Sequence, residues 1–187
     1  MFKLFFLGAG KMATAIAGGI VKAGVFQKSE LAAFDVSAKA AQEFEEKTGV
    51  HCYSGDALNE GIAQAEAVLL AVKPQVLASA LEPLAGALAG KPVISIVAGV
   101  PIARLTALTG SGRIVRVMPN TPALVGEGAA GYSLAPEAQA ADGELAKRIL
   151  SAVGVAMQVE EKYLTAVTAL SGSGPAYVFE FNRALSD

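Results

Sequence analysis

Gly8-Ala9-Gly10-Lys11-Met12-Ala13 constrains this chain more than any other stretch, because a G-x-G-x-x-A run placed between an apolar segment and a helical one has few structural uses. Gly8 permits a tight turn, Gly10 lets the backbone approach a pyrophosphate, and Ala13 keeps the new helix close to the strand before it. The N–H groups of the first helical turn and the positive end of the helix dipole then face the phosphates. Glycine-rich turns also arise for packing alone, so the setting has to decide. Here the setting is an alternation of short apolar runs with helical-period segments along nearly the whole chain, the pattern of βαβ units on a parallel sheet.

The candidate strands span residues 3–7, 31–34, 50–53, 67–72, 93–97 and 114–117, with a last one at 155–159. The first six are near-continuous in Val, Ile, Leu and Phe, which predicts burial on both faces. Met12, Ala15, Ile16, Gly19, Ile20 and Ala23 recur at helical spacing over 11–23, and Gly24 supplies the stop. Ser37 is an expected N-cap with Gly49 beyond that helix's end, and Asp56 an expected cap of a short helix. Pro74, Pro101 and Pro136 are placed in first helical turns, where a missing N–H costs nothing. Residues 126–131 read as a glycine-rich stretch, followed by a helix with Ala138, Ala141, Leu145, Ile149 and Val153 on one face. From Lys162 the expectation is a short apolar helix, a loop at Ser171-Gly172-Ser173-Gly174-Pro175, and a new helix opening at Ala176. The fold class is therefore α/β: a Rossmann-type doubly wound, mostly parallel sheet over residues 1–160, then the start of an all-helical domain over 161–187, which needs a partner surface.

Composition narrows the function. Hydrophobic residues make up 53% and charged ones 17%, below the roughly 25% usual for globular chains, so much surface is buried under helices or in a subunit contact. Fifteen Lys and Arg against 17 Asp and Glu give a net charge of −2, with no basic stripe to neutralise phosphates, which argues against nucleic acid. Met1 to Leu7 begins as a secretory leader would, but the apolar run ends at Gly8 and Lys11 interrupts what would be its core. The longest other apolar run, Ala67 to Val72, falls far short of the roughly 20 residues that span a bilayer. With a single cysteine, Cys52, the expectation is a cytoplasmic protein without disulfide or membrane span.

Asp35 ends the second strand, where an acidic residue accepts from the adenine ribose 2′-OH and favours NAD. Val36 and Ser37 follow, then Lys39, and a hydroxyl, an ammonium and helix N–H groups would equally hold a 2′-phosphate; Asp35 and Ser37 as plain caps of the second helix is the third reading. The sequence leaves these open. Ala71-Val72-Lys73-Pro74 follows the fourth strand at the sheet's carboxyl edge, with Lys73 either against a coenzyme or in solvent. Asn120, between Pro119 and Thr121-Pro122, suits a ribose hydroxyl or a carboxamide, or a turn. His51 reads as structural. No Ser-His-Asp set, paired carboxylates or metal-ligand cluster is present, so the chemistry must come from a cofactor.

Four segments, in this order, resemble the pyrroline-5-carboxylate reductase family: Gly8 to Ala13; Ala71-Val72-Lys73-Pro74-Gln75; Val115-Arg116-Val117-Met118-Pro119-Asn120-Thr121-Pro122; and Ala166-Val167-Thr168-Ala169-Leu170-Ser171-Gly172-Ser173-Gly174-Pro175-Ala176-Tyr177. The resemblance implies an N-terminal Rossmann domain with a helical domain that makes homodimers or larger homo-oligomers. It implies hydride transfer from NADPH, or NADH, to the C=N carbon of 1-pyrroline-5-carboxylate. On this resemblance Gly8, Ala9, Gly10, Lys11, Met12 and Ala13 hold the pyrophosphate, and Asp35, Val36 and Ser37 the adenosine ribose. Ala71, Val72, Lys73, Pro74, Asn120 and Thr121 line the nicotinamide half, while Ser171, Gly172, Ser173, Gly174 and Pro175 border the substrate pocket. It assigns no catalytic residue within these 187 positions. The family's later glycine-threonine substrate loop is absent, and Glu180-Phe181-Asn182-Arg183 departs from an apolar helix, so the expectation is coenzyme binding with an incomplete substrate site. A β-hydroxyacid dehydrogenase is the enzymatic rival, disfavoured because Lys147 is the only lysine between Lys91 and Lys162; a non-catalytic NAD(P)-sensing module is the other.

Overall fold

All four residues of β1 (Leu4–Leu7) are buried, which a strand achieves only with cover on both faces of its sheet. The computed structural model describes residues 1–84 and 86–186, Asp56 in its backbone only, and supplies that cover. After β1 come α1 (Lys11–Lys22), β2 (Leu31–Phe34), α2 (Ala38–Thr48), β3 (Cys52–Tyr53), α3 (Leu58–Ala63), β4 (Val68–Leu70), α4 (Leu77–Leu81), β5 (Val93–Ser95), α5 (Ile102–Thr109) and β6 (Ile114–Met118). The chain continues through β7 (Gly128–Leu134), α6 (Ala140–Ser151), β8 (Gly154–Gln158), α7 (Leu164–Val167) and α8 (Gly174–Ser186). Side chains alternate across β1: Leu4 and Phe6 pack with Ile16, Ile20, Phe44 and Ile149 of α1, α2 and α6, whereas Phe5 and Leu7 pack with Ile62, Leu77, Leu81 and Leu105 of α3, α4 and α5. Each such fully buried side chain contributes about 1.5–3 kcal/mol of transfer free energy.

The sheet order is β3-β2-β1-β4-β5-β6-β7-β8, parallel from β3 to β6. The chain therefore leaves β1 towards β2 on one side and returns to β4 on the other. That reversal opens a crevice at the carboxyl ends of β1 and β4, where doubly wound sheets bind ligands. The expected class and winding agree with this.

Several local expectations are corrected. Residues 126–131 are not simply a glycine-rich connection, because β7 begins at Gly128, antiparallel to β6 and parallel to β8. Alanine and glycine give no alternation to read; a Cβ on Gly128 would lie 2.7 Å from the Val153 carbonyl oxygen, so close backbone approach selects the small residue. The third strand is only Cys52–Tyr53 and leaves His51 outside it. Pro136 sits in a turn, and α6 begins instead at Ala140 behind a capping box of Gln139 and Asp142. Its buried face carries Asp142, Gly143, Ala146, Ile149 and Leu150, while Ala141 is exposed, because burying the Asp142 carboxylate against Arg113 rotates the apolar stripe. Pro101 is the residue before α5 rather than its first, and any capping by Asp56 lies outside the described side chains. The expected loop at Ser171 to Pro175 is instead a π-turn, Thr168–Gly172, running through Ser173 into α8 from Gly174. The Ser173 N–H closes it on the Thr168 carbonyl at 2.9 Å. Finally, β8 is an edge strand with Val155 and Met157 about 70% exposed.

Candidate functional site

The glycine turn is tied down from three sides. Gly8 has φ +104°, and a Cβ there would stand 2.8 Å from the Ala71 carbonyl oxygen, so β1 and β4 meet at a distance only glycine allows. The Gly8 N–H donates to the Phe34 carbonyl at 2.8 Å, and the Ala9 N–H to Asp35 Oδ2 at 2.8 Å. Gly10 is the N-cap of α1; no side chain caps the helix and its first turn holds no acidic residue. The first N–H groups of a twelve-residue helix are thereby left for an anion. A Cβ on Gly10 would meet no atom within 4 Å, so the space above the turn is open. Ala13 is buried, while Lys11 is exposed and Met12 half-buried.

Beside this turn lies a cavity of about 610 Å³, walled by Gly8, Asp35, Val36, Leu58, Asn59 and Val72 among others, mostly apolar. Asp35 stands at its rim with both oxygens engaged, Oδ1 by the Ser37 N–H at 2.8 Å and Oδ2 by the Ala9 N–H. Ser37 Oγ caps α2 by accepting the Ala40 N–H at 3.3 Å, and Val36 is 90% exposed. The Ala71-Val72-Lys73-Pro74 segment follows β4 with Val72 half-buried and Lys73 exposed at the head of a short 3₁₀ turn opened by Pro74. Gly55, Leu58 and Asn59 also wall the cavity, and no motif marks them in the sequence. They arrive there because β3 pairs beside β2 and its following turn folds back over the sheet edge.

Asn120 lies three strand spacings from β1, about 14 Å along the edge. Its side chain is used internally: Oδ1 accepts the Ala129 N–H at 2.9 Å, Nδ2 donates to Ser171 Oγ at 3.1 Å, and Ser171 Oγ donates to the Ala129 carbonyl at 3.4 Å. This closed ring joins the end of β6, β7 and the π-turn. Gly172 packs close to Met118, whose Cε would stand 2.8 Å from an added Cβ. Thr121 is exposed, and Gly174 and Pro175 are half-buried at the opening of α8. The same segment is fastened by Glu161 Oε1, which accepts from Arg116 Nη1 at 2.8 Å and from the Ile102 N–H at 2.7 Å.

His51 and Cys52 take no part in this crevice. The His51 ring meets Tyr53 edge-on and Glu45 at 2.6 Å. Burial, followed by the charges of Asp35 and Glu45, pushes the Cys52 thiol up to about 12, so it stays protonated and unreactive near neutrality. The Cys52 N–H bond holds Glu45 below the usual carboxylate range. Among the described residues no cluster could hold a metal ion, and no helix is long and apolar enough to cross a membrane. The site therefore offers unpartnered helix N–H groups, a mostly apolar cavity and a polar rim, and no catalytic dyad among the described residues.

The family model described as NADP oxidoreductase, coenzyme F420-dependent, matches residues 3–99, from β1 through β5. The pyrroline-5-carboxylate reductase of Arabidopsis thaliana is 40% identical over 187 residues, covering 100% of this chain and 67% of the plant protein. Among solved structures, a pyrroline-5-carboxylate reductase from Coxiella burnetii superposes with a TM-score of 0.89 at 34% identity, over 98% of this chain and 68% of its own. The Plasmodium falciparum pyrroline carboxylate reductase, solved with NADP bound, does so with 0.86 at 34% identity, over 98% and 67%. This chain spans about two thirds of the length of these relatives. Identity at this level over nearly the whole chain places it: the chain belongs to the pyrroline-5-carboxylate reductase family.

Proposed function

We propose that this chain binds a reduced nicotinamide dinucleotide across the carboxyl edge of its sheet and serves hydride transfer to the C=N carbon of 1-pyrroline-5-carboxylate, giving proline. The observation that carries the reading is the open, uncapped N-terminus of α1 beneath Gly8 and Gly10, adjoining the cavity at Asp35. Those residues fit the coenzyme: the helix amides of Lys11, Met12 and Ala13 face the diphosphate, the apolar cavity suits an adenine, and Asp35, Val36 and Ser37 meet its ribose. Ala71 to Pro74, Asn120 and Thr121 line the nicotinamide end. The bound dihydronicotinamide supplies the hydride, and an imine protonated on nitrogen offers an electrophilic carbon. The protein's part is then to hold that carbon in register and dry.

In this reading residues 1–160 form the coenzyme domain and 161–187 belong to the helical domain, with Ser171, Gly172, Ser173, Gly174 and Pro175 at the substrate side. Tyr177, Phe179, Phe181 and Leu185 of α8 are each more than 60% exposed, an apolar surface that supports homo-oligomer assembly through the helices. A cytoplasmic location completes the reading, supported by the lone buried cysteine. The test is a titration of the chain with NADH and NADPH by fluorescence, followed by coenzyme oxidation at 340 nm with the cyclic imine. Saturable uptake of a reduced dinucleotide is expected; absence of uptake of either coenzyme refutes the reading.

A further inference from the structure

We infer that Asp35 makes this chain discriminate against a 2′-phosphate, so that its coenzyme is NADH in preference to NADPH; the inference rests on the coenzyme reading above. Residue type alone does not decide the matter, because a carboxylate that can rotate away tolerates a phosphate. Asp35 cannot rotate freely. Its two oxygens accept separate backbone N–H groups at 2.8 Å, one from Ala9 inside the glycine turn and one from Ser37 at the head of α2. Swinging it aside would orphan both amides and release the turn that cradles the diphosphate.

A fixed negative charge therefore stands at the end of β2, where doubly wound folds place the adenine ribose. Each carboxylate oxygen retains a second lone pair, so a ribose 2′-hydroxyl can still donate to it. A phosphate carrying nearly two negative charges at the same place is repelled.

The groups that would offset this repulsion are poorly placed. Ser37 Oγ is held at the helix head by accepting the Ala40 N–H and has a single O–H left to donate, without charge. Val36, which lines the cavity beside Asp35, is apolar and 90% exposed. Lys39 is 87% exposed and lies 4.0 Å from Glu43, which also draws Lys47 at 3.9 Å. A solvated ammonium already drawn to a carboxylate is a weak anchor for phosphate, and among the described residues no arginine lines the cavity. The two remaining amides at the start of α2, those of Ala38 and Lys39, would have to hold the phosphate next to the Asp35 charge.

The experiment measures Kd for NADH and NADPH on the wild-type chain, Asp35→Asn and Val36→Arg, at low and high salt. NADH should bind about tenfold or more tighter than NADPH to the wild type, and the gap should shrink as salt screens the charge. Asp35→Asn should narrow the ratio by removing the charge. Should that variant unfold, Val36→Arg carries the test alone, because a cation beside the 2′ position should raise NADPH affinity relative to NADH. Equal or tighter binding of NADPH by the wild type, or a ratio unmoved by Val36→Arg, overturns the inference while leaving dinucleotide binding intact. Uptake of neither coenzyme overturns the underlying function and this inference with it.

Discussion

Alanine at the two glycines of the opening turn should fail in opposite ways, and the contrast tests the cradle directly. In Gly8→Ala the new methyl sits at φ +104° and 2.8 Å from the Ala71 carbonyl oxygen, 2.9 Å from its carbon. That backbone cannot retreat, because the Ala71 N–H is bonded to the Leu7 carbonyl at 2.8 Å. Holding an L residue at positive φ costs about 1–2 kcal/mol, and overpacking against rigid atoms about 1–3 kcal/mol more. The loss of about 2–5 kcal/mol should lower the melting temperature by on the order of 10 °C for a chain of this size. Gly10→Ala meets no atom within 4 Å and has an ordinary φ of −71°, so stability should change by less than about 0.5 kcal/mol. On the proposed coenzyme site its methyl instead enters the space of the diphosphate, and dinucleotide Kd should rise by about ten- to a hundredfold. Circular dichroism melts and coenzyme titrations of both variants read the two effects separately. A Gly8→Ala chain that melts within about 2 °C of wild type, or a Gly10→Ala chain with unchanged Kd, would refute the reasoning.

Asp142→Ala should destabilise the sheet margin by about 2–4 kcal/mol in urea denaturation. It removes a carboxylate 2% exposed that takes Arg113 Nη2 at 2.7 Å and Nε at 3.1 Å as well as the Gln139 N–H. The 28% exposure of the Arg113 side chain holds the loss below that of a fully buried pair, and a change under about 1 kcal/mol would show that Arg113 simply rehydrates. Cys52 should make stability fall at alkaline pH. Its folded value, raised to about 12 from an ordinary 9.0, means the native thiol keeps a proton that the unfolded chain gives up. The stabilisation is complete below pH 9.0 and is lost as pH climbs towards 12. Cys52→Ala should flatten that alkaline slope in denaturant midpoints, and an unchanged slope would assign it elsewhere.

The place and build of the glycine turn are legible in the sequence because every requirement there is local: a strand end, two glycines and a helix start within six residues. Leu4 to Leu7 announces burial on two faces for the same reason, since an unbroken apolar strand has no water-facing side. Illegible were features whose cause lies far along the chain. The β7 strand has almost no β-branched or aromatic residue before Tyr132, and only its ladders to β6 and β8 make it a strand. The rotation of α6 follows from Arg113, 29 positions before Asp142. Asn120 offered a free amide in the sequence, yet its partner Ser171 stands 51 positions later. Asn59 and Leu58 have no motif at all and reach the cavity by sheet order alone.

By itself the sequence determined the winding and the glycine turn, because hydrophobic period, glycine placement and helix punctuation act over a few residues and survive without knowledge of neighbours; the family was legible only through the resemblance of four segments. Tertiary structure decided which polar groups remain free to meet a ligand. Asp35 is pinned by Ala9 and Ser37, Asn120 is closed into a ring with Ala129 and Ser171, and Glu161 is drawn to Arg116 and the head of α5. A buried donor or acceptor takes whatever partner the fold brings within about 3 Å, and that choice is made by packing between segments rather than by any one segment's composition.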